Sequence, residues 1–280
     1  MPNPTSEPAP VAAPPTTSAA PTTESSTPTK ARPTRRAAPT RAVVRPVHTS
    51  SLEASFASVR RAAGAPVGVA FVAGGGTKAR VLGDDVGGDA YSTIKVPIAV
   101  TVQRKYGDDL PSDLRSDMSD AIVHSDNDAA DELWADLGRG YHASAAVREV
   151  LRAGNDDTTV PDPLNGWGAT DWTDADQAVF AANLACIRGA GPVLSLMRQT
   201  DDTQRWGVAD LDGVAVKGGW SPGDDGGYVV RQLAVVKTPK GQTGIAMSTR
   251  ARTMDAGTAV LDRVGAWLRT NLTRLPSGHC

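Results

Sequence analysis

The sequence predicts an α+β fold, a three-layer α/β/α sandwich. Its mainly antiparallel sheet is built from both chain ends, with an all-helical subdomain inserted between them. Three observations predict it. Strand-like runs bounded by Gly-rich turns fall before Leu82 and after Gly213. Nearly every segment from Pro111 to Gln199 has helical spacing. Amphipathic helices open and close the foldable part. This order is not a repeating βαβ pattern, which argues against a doubly wound sheet, and no internal repeat is visible.

The elements follow in turn. Ser51–Ala63 reads as a helix, with Ser51 able to cap it and Leu52, Phe56 and Val59 on one face. Val67–Val72 and Lys78–Leu82 read as two strands joined by a turn at Gly74–Gly76. Pro97 is best tolerated in a first helical turn, so a helix should begin close to Ser92. Asp113–His124, Asp128–Leu137, Ala143–Ala153, Thr173–Arg188 and Pro192–Gln199 are helical stretches separated by Gly, Asn or Pro breaks. Asp128 is a candidate cap for the second of these. Gly213–Lys217, Tyr228–Lys237 and Gln242–Thr249 are strands, the last two joined by the turn Thr238–Gly241. Met254–Leu272 closes the chain as a helix, with Val260, Leu261, Val264, Trp267 and Leu268 on one stripe.

Composition divides the chain in two. Residues 1–50 hold 11 of the 20 prolines, many Thr, Ala and Ser, and no aromatic residue. Such a segment buries too little apolar surface to offset its ordering entropy, so it is expected to be a disordered tail or stalk. Residues 51–280 are expected to form a single catalytic domain. Taking the tail's six basic and two acidic residues from the chain's 29 and 31 leaves a domain of net charge −6. That balance offers no basic stripe and argues against nucleic-acid binding. No run of 18 apolar residues suggests a membrane span. Met1-Pro2-Asn3 opens no apolar signal segment, and the stalk-like tail points to an export signal upstream of this start. Cys186 and Cys280 are the two cysteines. They are either one buried and one terminal thiol, or a disulfide pinning the C-terminus, stable outside the cytosol. Two cysteines and four scattered histidines give no metal-site spacing, and no cofactor is expected.

Three short motifs can carry chemistry. Ser92-Thr93-Ile94-Lys95 sets a serine and a lysine three residues apart, on one face of a helix. A serine hydroxyl needs a neighbouring base before it attacks, and a lysine whose pKa is depressed can be that base. Ser125-Asp126-Asn127 follows 33 residues later in a helical break. Val216-Lys217-Gly218-Gly219-Trp220 lies at the end of a strand, where two glycines let a ligand approach the edge closely. Each has a plainer reading alone: a cap with a surface charge, a second cap, and a strand ending in a turn. Lys237-Thr238-Pro239 looks similar to the third motif, but its proline makes it a hairpin turn.

In this order the three motifs resemble the Ser-x-x-Lys, Ser-Asp-Asn and Lys-(Thr/Ser)-Gly boxes of the class A β-lactamases and penicillin-binding proteins. The resemblance runs from about Ser51 to Leu272 and implies the β-lactamase/transpeptidase-like fold. It implies that Ser92 attacks an acyl carbon, Lys95 takes its proton, and Ser125 relays a proton to the leaving nitrogen. Asn127 would hold the substrate's side-chain amide, and Lys217 would supply positive potential. The backbone N–H groups of Ser92 and Trp220, the latter following Gly219, would form the oxyanion hole. The implied activity is a serine hydrolase acting on β-lactams as a monomer, outside the cytoplasm, without cofactor or metal. Alternatives are a D,D-peptidase or esterase acting on peptidoglycan-type substrates, and a penicillin-binding protein that deacylates poorly.

Two positions depart from the pattern. Gly218 lacks the hydroxyl of the third box, and Arg231 in the next strand is similar in position to an arginine that assists the substrate carboxylate; its plainer reading is a solvated strand residue. The class A Glu-x-x-Leu-Asn loop corresponds to Val160–Trp167, where Leu164-Asn165 are kept but Pro161 stands at the glutamate position. Asp162, one residue off register and one methylene shorter, is the candidate deacylation base.

Overall fold

The computed structural model describes residues 51–161, 166–223 and 226–280. Helix α1 (Leu52–Ala63) is capped by Ser51, whose Oγ accepts from the Ala54 N–H, and stops at Gly64 in a left-handed turn. Strands β1 (Val67–Ala73) and β2 (Arg80–Gly83) form a hairpin. After a 3₁₀ turn at Tyr91–Ile94 comes α2 (Lys95–Tyr106), with Pro97 in its first turn. The helical insertion contains α3 (Ser112–Ser119), a π turn at Asp120–His124, α4 (Asn127–Asp136), α5 (Gly140–Ala153), α6 (Asp174–Asn183) and α7 (Ala190–Leu196). Strands β3 (Ala215–Pro222), β4 (Tyr228–Thr238) and β5 (Gly241–Ala251) and helix α8 (Met254–Asn271) complete it.

The five strands form one antiparallel sheet in the order β2-β1-β5-β4-β3. The N-terminal hairpin joins the C-terminal strands through β1–β5, so both chain ends do build the sheet. One face packs on α1 and α8, with Phe56, Val69, Ile245, Leu261, Val264 and Leu268 in the core between them. On the other face, Ala70, Val72 and Ala246 meet Ala178 and Ala182 of α6. The helical subdomain has its own core, to which α2, buried from Lys95 to Gln103, contributes Val96, Ile98, Ala99, Val100 and Val102. The predicted α+β sandwich with a helical insertion is the observed architecture.

Several local expectations are corrected. The cap of α4 is Asp126, whose carboxylate accepts from the Ala129 N–H, and not Asp128, which lies in the first turn. The helix expected over Thr173–Arg188 ends at Asn183 and continues as a 3₁₀ turn to Cys186, which is joined to Cys280 by a disulfide. The strand expected to end at Lys217 runs on to Pro222, because its backbone keeps pairing with β4 across both glycines, Gly218 with Gln232 and Gly219 with Arg231. Among the described residues no single helix is long and apolar enough to cross a membrane.

Candidate active site

The three motifs converge where the first turn of α2, the α3–α4 junction and β3 meet. Ser92 sits in the 3₁₀ turn and Lys95 is the first residue of α2. A 3₁₀ turn has three residues per turn, so residues 92 and 95 fall in line along one side of it. Tyr91, just before the serine, has φ +47°. A bulky residue in that region is strained, and such strain persists only where surrounding structure holds it.

Strand β3 lies directly against this turn. A Cβ placed on Gly219 would lie 2.9 Å from the Ala90 carbonyl oxygen and 3.2 Å from the Ser92 nitrogen. Only glycine lets the strand lie this close to the turn that carries Ser92. Gly218 faces the other way, where a Cβ would lie 2.8 Å from the Trp206 ring and 3.3 Å from the Trp220 ring. A threonine or serine there would need Trp206 to move, which accounts for the missing hydroxyl in terms of packing. The Trp220 ring itself packs against the core beneath α8, leaving its backbone as the part nearer the turn.

Lys95 is fully buried. Its Nζ donates to the Ser125 carbonyl oxygen at 2.5 Å and to Asn127 Oδ1 at 2.7 Å, and lies 5.2 Å from the centre of the Trp167 ring. Burial pushes its pKa down to about 8, against the opposing pull of Asp126 and Asp131. Lys217 is also fully buried; its Nζ donates to Ser125 Oγ at 2.8 Å, Gln204 Oε1 at 2.5 Å and the Gly218 carbonyl at 3.0 Å. Burial, and then the charge of Lys95, hold its pKa well below the ordinary lysine value, with Asp201 opposing. Neither ammonium has a carboxylate within ion-pairing distance among the described residues. Each cation disfavours the other, so a proton lost from one lets the second stay.

Ser125 itself has φ +60°. That left-handed turn follows the π turn and presents its carbonyl to Lys95 and its hydroxyl to Lys217. Accepting from Lys217 leaves the hydroxyl proton of Ser125 available to an outside acceptor.

The structure thus gathers Ser92, Lys95, Ser125, Asn127, Lys217 and Gly219 around one site. It does not place Arg231 there. The Arg231 guanidinium is fully buried and donates to the Gly88, Asp89 and Trp172 carbonyls and to Asp174 Oδ1. It is neither a solvated strand residue nor free to take a substrate carboxylate; it ties the loop before Ser92 to α6. Asp162 lies outside the described residues. Pro161, at the glutamate register, has its carbonyl held by the Ser144 hydroxyl at 2.7 Å. Trp167, from the end of the same segment, donates from Nε1 to Asp131 at 2.7 Å.

Two residues at the site carried no motif. Trp167 covers Lys95, and Gln204, fully buried, bridges Lys217 to the α3–α4 junction. Gln204 stands 13 residues before Lys217 at the end of a short 3₁₀ turn, Asp202–Gln204, and only the folded topology brings it there. Among the described residues no group of three His, Cys, Asp or Glu side chains could hold a metal ion.

No protein-family model matches the sequence, and neither does any curated protein. Solved structures do match. A point mutant of the class A β-lactamase of the last common ancestor of Gram-negative bacteria superposes with a TM-score of 0.60 at 18% identity, covering 79% of this chain and 98% of that one. The fold is that of the class A β-lactamases. A β-lactamase from Xanthomonas campestris pv. campestris gives 0.60 at 17% identity, with 78% and 96% covered. One from Chitinophaga pinensis gives 0.61 at 16% identity, with 78% and 97% covered. At this identity the likeness is one of class A β-lactamase architecture, and the chemistry of this chain rests on its own site.

Proposed function

We propose that the chain is a serine hydrolase working through an acyl-enzyme at Ser92, with β-lactams, cyclic amides, as its substrate class. The observation that supports this most is the fully buried Lys95 at the start of α2, hydrogen-bonded into the Ser125–Asn127 motif beside Ser92. A lysine titrating near 8 is partly neutral at physiological pH and can act as a base.

In the proposed cycle, Ser92 Oγ attacks the acyl carbon and its proton passes to Lys95 Nζ. The developing oxyanion meets the backbone N–H groups of Ser92 and Trp220, each worth about 10²–10³ in rate. Ser125 passes its hydroxyl proton to the leaving nitrogen as the C–N bond breaks and receives in its place the proton held by Lys95, with Lys217 stabilising the charge that develops on its oxygen. Asn127 contacts the substrate's side-chain amide. Water then adds to the ester, releasing the acid and returning the proton to Ser92, with Asp162 as the candidate base for this step. The Cys186–Cys280 disulfide supports an extracytoplasmic site of action. The partner is a small-molecule substrate, met by a monomer.

Pro161 at the glutamate register and the Trp167 ring over Lys95 favour a second reading. With no carboxylate at that register, acylation outruns hydrolysis. The chain is then a D,D-peptidase or esterase on peptidoglycan-type substrates, or a penicillin-binding protein that deacylates poorly.

Time-resolved intact mass spectrometry with benzylpenicillin separates the two. Consumption of the penicillin with a transient adduct is the expected result of the first reading. A stable adduct on Ser92 without consumption supports the second. Neither adduct nor consumption contradicts both for this substrate class.

A further inference from the structure

Gln204 has no part in the chemistry derived above, yet its carboxamide is fully buried between the second and third motifs. Its Nε2 donates to the Ile122 carbonyl at 3.0 Å and the Val123 carbonyl at 2.8 Å, in the π turn that leads into Ser125. Its Oε1 accepts from Lys217 Nζ at 2.5 Å and from the Gly218 N–H at 3.1 Å. A primary amide offers two donor hydrogens and two acceptor lone pairs, and here all four are used. The group therefore has one orientation, and its two ends join the strand carrying Lys217 to the turn carrying Ser125.

We propose that Gln204 is the positioning residue that holds the Lys217 ammonium on the Ser125 hydroxyl without neutralising it, so that the proton relay to the leaving group has one geometry. This rests on the acyl-enzyme reading of the site. The chemistry explains why the residue is an amide. A carboxylate would pair with Lys217 and fix its charge, and it would face two carbonyl oxygens it cannot donate to. An apolar side chain would leave a buried ammonium, two carbonyls and an N–H short of partners. The charged groups facing Lys217 are Lys95 from α2 and Asp201 from the segment after α7, the latter itself bonded to His124. A neutral linker leaves the balance between those charges to set the protonation of Lys217.

The test is a double-mutant cycle on the full chain, read as the rate of Ser92 acylation by benzylpenicillin. Gln204→Met should slow acylation about 10- to 100-fold, the usual cost of a lost buried hydrogen bond to a charged group. In a Lys217→Ala background the same substitution should be nearly silent. An equal cost in both backgrounds means Gln204 serves general packing and overturns the proposal. A second readout needs no substrate: the titration of the Lys217 ammonium followed by ¹⁵N NMR. Gln204→Glu should move its midpoint upward, because the new carboxylate favours the charged lysine. This variant carries the test if Gln204→Met fails to fold. An unmoved midpoint overturns the proposal. If neither benzylpenicillin nor a fluorophosphonate labels Ser92 of the wild-type protein, the acyl-enzyme reading fails, and the NMR midpoint alone decides the link between Gln204 and Lys217.

Discussion

Two kinds of buried cation lie within this fold, both supporting the stretch of chain that carries Ser92. Arg231 is fully enclosed, and its terminal nitrogens meet three carbonyls and the carboxylate of Asp174, which also accepts from Ser248 Oγ at 2.5 Å. Lys95 and Lys217 are enclosed as completely but meet only neutral acceptors: carbonyls, a serine hydroxyl and two side-chain amides. The arginine's charge is matched, so it behaves as a structural tie. The lysines' charges are unmatched, so burial lowers the pKa of both, that of Lys95 to about 8. That difference separates scaffold from site more clearly than burial or residue type does, since all three side chains are fully buried bases.

Substitution by a neutral residue of similar length should therefore act in opposite directions. The largest effect is on chemistry: Lys95→Met should slow acylation of Ser92 by about 10²–10⁴-fold, the usual contribution of a positioned base. A rate within about threefold of wild type would remove Lys95 from the mechanism. Next comes Arg231→Met, which should lower unfolding stability by about 3–5 kcal/mol in a denaturant titration, because it leaves Asp174 buried without its cation. Little loss of stability would mean that the arginine is not the tie described here.

The smallest effect is the most discriminating, because its sign is reversed. The folded-state pKa of Lys95 is lowered from 10.5 to about 8, so the folded state disfavours its proton. The resulting cost to stability is fully present below about pH 8 and is relieved as pH rises from there toward 10.5. Lys95→Met should then raise stability at pH 7 by about 1–3 kcal/mol while removing activity. It should also abolish that group's contribution to the rise in stability between the two pH values. A destabilised Lys95→Met would place the lysine with Arg231, as part of the scaffold.

The sequence made the architecture legible because its signals were periodic and local: strands at both ends, helices between, a capping serine at Ser51, a helical stripe from Val260 to Leu268. The turn that carries Ser92 was legible through Pro97, which a helix accepts only near its start. Its 3₁₀ character, the φ of Tyr91 and its close approach to β3 at Gly219 carry no local signal, and that approach spans more than a hundred residues of chain. Arg231 was misread for a similar reason. Its position on a strand is visible in the sequence, but the carbonyls of Gly88, Asp89 and Trp172 that enclose it come from two distant loops. Gln204 carries no local signal, since its four partners lie on β3 and on the turn before Ser125. Asp128 was too late as a cap because Asp126 belongs both to the second motif and to the helix it begins.

The most direct test of the central claim is the pH dependence of Ser92 acylation under single-turnover conditions, followed by intact mass with peptide mapping. If neutral Lys95 is the base, the rate should rise about tenfold per pH unit on the acid side and level off near pH 8. Labelling should disappear in Ser92→Ala. A rate flat from about pH 6 to 9, or labelling that survives in Ser92→Ala, would contradict the assignment of this serine and this lysine as nucleophile and base.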